Sequence, residues 1–136
     1  MSKSNMAALF GTDSKKETDG IVIEYGSIRV RIARMGGDNS KFSRIMQELA
    51  KPFKRMIAED LLPEEAGRKL LHGVYARSIV LEWSGVLDDD GVELPFTVEN
   101  CVAMFERWPE FFRFVQEESA KVANFRTATA EDDVKN

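Results

Sequence analysis

The segment Ile21–Arg34 constrains the fold more than any other part of the chain. Gly26-Ser27 reads as a two-residue turn, with glycine at the first central position as a type II′ turn prefers. That turn sets Tyr25 opposite Ile28, Ile23 opposite Val30 and Ile21 opposite Ile32, so all of these apolar side chains share one side. The other side pairs Glu24 with Arg29 and Val22 with Arg31. Turn chemistry, alternation and cross-strand pairing agree on one register. A lone hairpin is marginal in water, so its Ile/Val/Tyr face requires a partner layer. Gly36-Gly37 then ends the second strand.

The partner layer reads as helical. Asn39 or Ser40 suits an N-cap. Phe42, Ile45, Met46, Leu49, Phe53, Met56 and Ile57 recur at offsets of three and four, an apolar stripe interrupted by Pro52, which predicts a kink or a split. Pro63 opens a second helix with Glu64 and Glu65 at its positive end. The pattern carries that helix to about Glu82, burying Ala66, Leu70, Val74, Tyr75 and part of Ile79, Val80 and Trp83. Ser84–Pro95 is a loop with a turn at Asp90-Gly91, across which Val86-Leu87 and Val92–Leu94 pair briefly. Thr97 caps a third helix, Val98–Arg107, and Pro109 opens a fourth, roughly Glu110–Phe125. The expected class is α+β, mainly α: an N-terminal β-hairpin packed on about four helices.

A chain of 136 residues, 43% hydrophobic, is the size of one domain with a real core. Residues 1–19 are mostly polar around the short apolar island Met6–Phe10, and residues 127–136 are small, polar and acidic. Both compositions predict disordered tails around a domain at residues 20–126. Basic and acidic residues, 19 against 23, are interspersed and give a net charge of −4, which argues against a nucleic-acid partner. No apolar run approaches a membrane span, and Met6–Phe10 is too short for a signal peptide. With Cys101 as the lone cysteine, an internal disulfide is excluded. The expected location is the cytoplasm.

Each candidate for chemistry weakens on inspection. Asp88-Asp89-Asp90-Gly91 suggests calcium, but an EF-hand register would put Val86 at the first ligand position. His72, the only histidine, has no partner placed beside it by a motif, and a general base needs one. Cys101 lies between Asn100 and Val102 with no base to lower its pKa. Neither Gly36-Gly37 nor Phe10-Gly11-Thr12 makes a phosphate loop. The basic stretch Arg29–Arg55 reads as strand pairs and a solvated helix face. The expectation is therefore no enzyme, no cofactor and no metal. One cluster points instead to a partner: Met104, Phe105, Trp108, Phe111, Phe112 and Phe114 form the densest apolar and aromatic segment, and Phe111, Phe112 and Phe114 spread around the axis of the fourth helix. They are the candidate partner-binding residues, with Met46 and Met56 as further adaptable contacts.

The order of motifs resembles the tail assembly chaperones of long-tailed bacteriophages, in the group with an N-terminal hairpin. The residues that carry the resemblance are Gly36-Gly37-Asp38-Asn39, Phe42 and Pro52 on one helix, Tyr75-Ala76, Trp83-Ser84-Gly85-Val86, and Asp88 to Gly91. Leu94-Pro95-Phe96-Thr97, Glu99-Asn100, Trp108-Pro109 and Phe125-Arg126 complete it. The resemblance implies a non-enzymatic role in the host cell cytoplasm: coating the tape measure protein, keeping it soluble, and leaving as tail tube protein polymerises around it. It implies absence from the mature virion and supplies no catalytic residues. It also implies a longer product made by frameshifting, and Val134-Lys135-Asn136 is compatible with the slippery codons GTA AAA AAC. A homo-oligomer is compatible with the sequence but not fixed by it. The alternative from another class is a structural virion component, such as a head–tail joining or tail completion protein. A third, a small enzyme, requires His72 and Cys101 to converge.

Overall fold

A computed structural model of the chain describes residues 5–127. The expected class holds: a small antiparallel sheet packed on helices, with helix predominating. Strands β1 (Ile21–Tyr25) and β2 (Ile28–Ile32) form the hairpin in the register that the turn predicts, from Tyr25 opposite Ile28 to Ile21 opposite Ile32. Gly26 has φ 60° and Ser27 does not turn positive, as a type II′ turn requires.

The hairpin is not the whole sheet. The helix read from Pro63 to about Glu82 stops at Ser78, forming α5 (Glu64–Ser78), and Val80–Ser84 becomes β3. This strand pairs antiparallel with β2, setting Val30 opposite Trp83 and Arg31 opposite Glu82. Apolar residues at 74, 75, 79, 80 and 83 satisfy a helical stripe, while Ile79, Leu81 and Trp83 alternate as a strand would. The free edge of β2 decides between them, because its unpaired backbone groups need partners. The register shifts between Arg31 and Ile32, which seats Val80 opposite Ile32 and passes over Leu81. Val80 and Trp83 turn inward.

Helix α3 (Ser40–Ala50) meets Pro52 in the 3-10 turn Lys51–Phe53 and continues as α4 (Lys54–Ala58), so the proline splits the stripe. Asn39 sits at the N-cap position but makes no side-chain cap. Its buried amide donates to the carbonyls of Arg34 at 2.8 Å and Ser78 at 3.3 Å, tying the end of β2 to the end of α5. Helix α6 (Val98–Arg107) is capped by Thr97, whose hydroxyl accepts from the Asn100 amide at 3.0 Å. Helix α7 (Pro109–Ala120) ends earlier than expected, and the 3-10 turn Val122–Phe125 drops Phe125 into the interior. The core joins Val30 and Ile32 to Tyr75, Ala76, Ile79, Val80, Cys101, Phe105, Phe112 and Val115.

The domain also begins earlier than composition suggests. Within the expected tail at residues 1–19, Asn5–Phe10 is helix α1 and Ser14–Asp19 is helix α2. Helix α2 is docked. Glu17 is 2% exposed and accepts from Arg34 Nη1 at 2.6 Å and Thr12 Oγ1 at 3.1 Å. The Asp13 amide donates to the Phe125 carbonyl at 2.8 Å. A side chain at Gly37 would collide with Glu17 Oε2, so the glycine leaves room for this carboxylate. The Glu17–Arg34 ion pair and the hydrogen bonds around it thus anchor a segment whose polar composition predicts no docking. The other expected tail, residues 127–136 with Val134-Lys135-Asn136, lies outside the described residues except for Thr127.

Candidate functional site: an apolar groove at the hairpin tip

The aromatic segment divides by face. On α7 the buried residues are Phe112, Val115 and Ser119, spaced by three and four, which is one side of a helix. On α6 they are Cys101 and Phe105. Phe105 is 0% and Phe112 9% exposed, their rings 4.8 Å apart, and Phe112 packs edge-on against His72 and Tyr75. These two candidate partner-binding residues therefore belong to the core, because the inner face of each helix is where α5 packs.

The other four do come together. Met104, Trp108, Phe111 and Phe114 line an open groove of about 700 Å³, whose opposite wall is Tyr25, Ile28 and Val30 from the hairpin with Val86 and Leu87 from the loop. Tyr25 and Phe114 meet edge-to-face at 5.3 Å. Trp108 terminates α6 and is 50% exposed, with the Arg107 guanidinium over its ring at 4.6 Å. Glu110, Arg113 and Glu117 supply the charged rim, and Arg113 reaches Glu110 at 3.6 Å.

Sequence reasoning misses the hairpin wall. Alternation puts Tyr25 on the face that packs on the helices, yet it is 70% exposed, because the tip projects past them. The available signal is its position, last on the apolar face beside the turn. The loop wall is held by hydrogen bonds. Leu94 donates to the Val86 carbonyl at 2.7 Å, and the Trp83 indole donates to the Leu94 carbonyl at 2.8 Å. Gly85, at φ 77°, lets the chain pass against the Ser27 carbonyl, where a Cβ would sit 2.1 Å away. This close approach brings Val86 and Leu87 to the hairpin tip.

The other candidates stay apart from the groove. The Asp88 carboxylate accepts from the amides of Asp90 and Val92, both at 2.9 Å, so it builds its own turn. Among the described residues no three metal-ligating side chains gather. Burial pushes the Cys101 thiol up to about 12, which removes the thiolate a nucleophile needs. His72 is buried, and among the described residues its Nδ1 finds no hydrogen-bond partner. Burial lowers its pKa, opposed by Glu106 and aided by Arg68. No hydrogen bond joins His72 to Cys101 among the described residues. Arg29, Arg31 and Arg34 are paired with Glu24, Glu82 and Glu17, which takes the strand arginines out of the basic stretch. Met46 is half-buried on α3 and Met56 is exposed on α4, neither of them lining the groove. Among the described residues no helix is long and apolar enough to cross a membrane.

No curated protein and no solved structure matches this chain. A family model described as YdaY prophage protein does match, over residues 37–136. That span takes in α3 to α7, with the helix wall and loop wall of the groove, and leaves the hairpin wall outside it. With most of its length matched, the chain belongs to the YdaY prophage protein family and is phage-derived.

Proposed function

We propose that this protein is a phage tail assembly chaperone that binds the tape measure protein, keeps it soluble and assists polymerisation of tail tube protein around it. The observation that carries the reading is the groove. Aromatic and aliphatic side chains from two walls leave an open, mainly apolar groove, the concave form that recognition sites take. The family supplies the phage setting, and the resemblance of the motifs supplies the client.

The groove suits an amphipathic helix, whose apolar residues at i, i+3, i+4 and i+7 would lie between Tyr25 and Trp108. Glu110 and Glu117 at the rim stand beside Arg113 and the Arg107 that stacks on Trp108, so a client helix that carries both signs beside its apolar stripe is favoured. Many copies along one long client would gain by multivalency what each contact lacks. The function proposed is binding without catalysis, in the host cytoplasm, with release before the virion is complete.

Co-expression with the tape measure protein of the same prophage tests this. Wild type should hold the client in the soluble fraction, and the double variant Trp108→Asp/Phe114→Asp should let it pellet while keeping its own cooperative melting. A client that is equally insoluble with wild type sinks the chaperone reading. A client kept soluble by the double variant sinks the groove as its site. Recovery of the protein from purified virions would favour the structural alternative.

A further inference from the structure

The described chain carries a second uncovered apolar surface. Helix α1 buries none of its residues, and Met6, Leu9 and Phe10 are 59%, 51% and 60% exposed. Their spacing of three and four places them on one face. A helix of this length has too few hydrogen bonds to hold itself in water. What fastens it is at its far end, where Thr12 bridges Arg126 and the docked α2 begins. The arm is therefore a short apolar helix leashed to a rigid body.

We propose that α1 of one copy seats in the groove of a second copy, with Leu9 and Phe10 against Trp108, Phe114 and Tyr25. Every copy carries both halves of the contact. Their charges do not clash: the described residues of the arm, 5–12, carry none, and Glu110 and Glu117 at the rim stand beside Arg113 and the Arg107 that stacks on Trp108. The contact is head-to-tail, so it closes into a reciprocal pair or a ring, or it runs on as a chain. Three apolar anchors make an interface well below the roughly 1,200 Å² of stable complexes, so association is concentration-dependent and reversible. The arm then acts as a plug that shields the groove until a longer helix displaces it. Displacement by a client rests on the chaperone reading; the self-association does not.

Sedimentation velocity on the full chain, from micromolar to millimolar, tests it. Wild type should gain mass with concentration. Leu9→Asp/Phe10→Asp should stay monomeric throughout, and so should Trp108→Asp, each with unchanged circular dichroism and melting. An equimolar mixture of the arm variant and the groove variant retains one intact contact, so it should form a one-to-one heterodimer and nothing larger. A wild type that is monomeric at every concentration overturns the proposal, as does an arm variant that associates like wild type. A monomeric wild type whose arm variant binds more of an apolar dye would place the arm in its own groove, which also overturns it. The arm variant leaves the groove whole and should keep the tape measure protein soluble, so failure of the client assay in wild type strikes the chaperone reading alone.

Discussion

Phe105 and Phe112 lie a few residues from Trp108 and Phe114 on the same two helices, yet the pairs face opposite ways. Phe105 and Phe112 pack with His72 and Tyr75 inside the domain. Trp108 and Phe114 face the hairpin tip across a groove. Composition does not distinguish them, since both pairs are large and apolar. What distinguishes them is which other element reaches that side. Helix α5 packs against the inner aromatics, whereas the outer face meets the hairpin and the loop across an open groove. The same residue types thus fill the core on one side and leave a groove open to solvent on the other.

The largest expected effect sharpens that contrast on the inner side. Phe105→Ala removes a fully buried ring from a packed cluster and should cost about 3–5 kcal/mol of unfolding free energy. Urea titration reads it directly, as a lower midpoint at similar slope. A loss under about 1 kcal/mol would mean that the inner aromatics are dispensable surface residues.

Another pair of regions repeats the contrast, because α2 is anchored and α1 is not. Glu17→Ala removes one partner of a buried ion pair and leaves Arg34 and the Thr12 hydroxyl without their acceptor. Breaking such a pair costs about 3 kcal/mol. The arm substitutions Leu9→Asp/Phe10→Asp should change monomer stability by less than about 0.5 kcal/mol, as exposed positions do. Equal losses for the two would erase the distinction between a docked and a leashed segment.

His72 sets up a third, smaller effect, on pH. Its folded pKa lies below the ordinary 6.5, first because burial disfavours the imidazolium. The unfolded chain therefore binds more protons at this site than the folded one, and stability rises with pH. The contribution is full above 6.5 and drains as pH falls from there toward the lower folded value. His72→Leu also removes the unpartnered Nδ1. In urea titrations the stability gap between variant and wild type should widen in the variant's favour as pH drops through that window. A gap independent of pH would show that His72 does not sense protons from inside the core.

How legible these regions were follows from how many independent signals converge on each. The hairpin register was legible because turn chemistry, alternation and charge pairing all select Tyr25 opposite Ile28. The cap at Thr97 was legible because it is local. Strand β3 was not, since Ile79 to Trp83 satisfy both periodicities and the deciding partner, the edge of β2, lies far away in sequence. Helix α2 was hidden because Glu17 acquires its anchor from Arg34, a tertiary pairing that composition cannot register. At the candidate site the aromatic wall was visible as a cluster, but its division into faces was not. The hairpin wall was invisible as a wall, because Tyr25 reaches Phe114 only once the whole sheet is assembled.

One small expected effect on stability is the most informative about recognition. Trp108→Ala removes a half-exposed indole whose outer face stacks with Arg107. An exposed cation–π contact contributes about 0.5–1 kcal/mol, so the variant should lose no more than about 1 kcal/mol in urea. The helix junction should survive, because the turn is held by the Trp108 amide donating to the Met104 carbonyl at 2.8 Å, a bond independent of the side chain. Groove binding should suffer much more, since a large rigid ring in the wall of an apolar site carries a disproportionate share of affinity. The diagnostic quantity is therefore the gap between the two losses. A variant that loses client solubilisation and several kcal/mol together would make Trp108 a core residue like Phe105, and the two faces would collapse into one. A variant that loses neither would leave the faces distinct but move recognition away from the helix wall, toward Tyr25 and the hairpin tip.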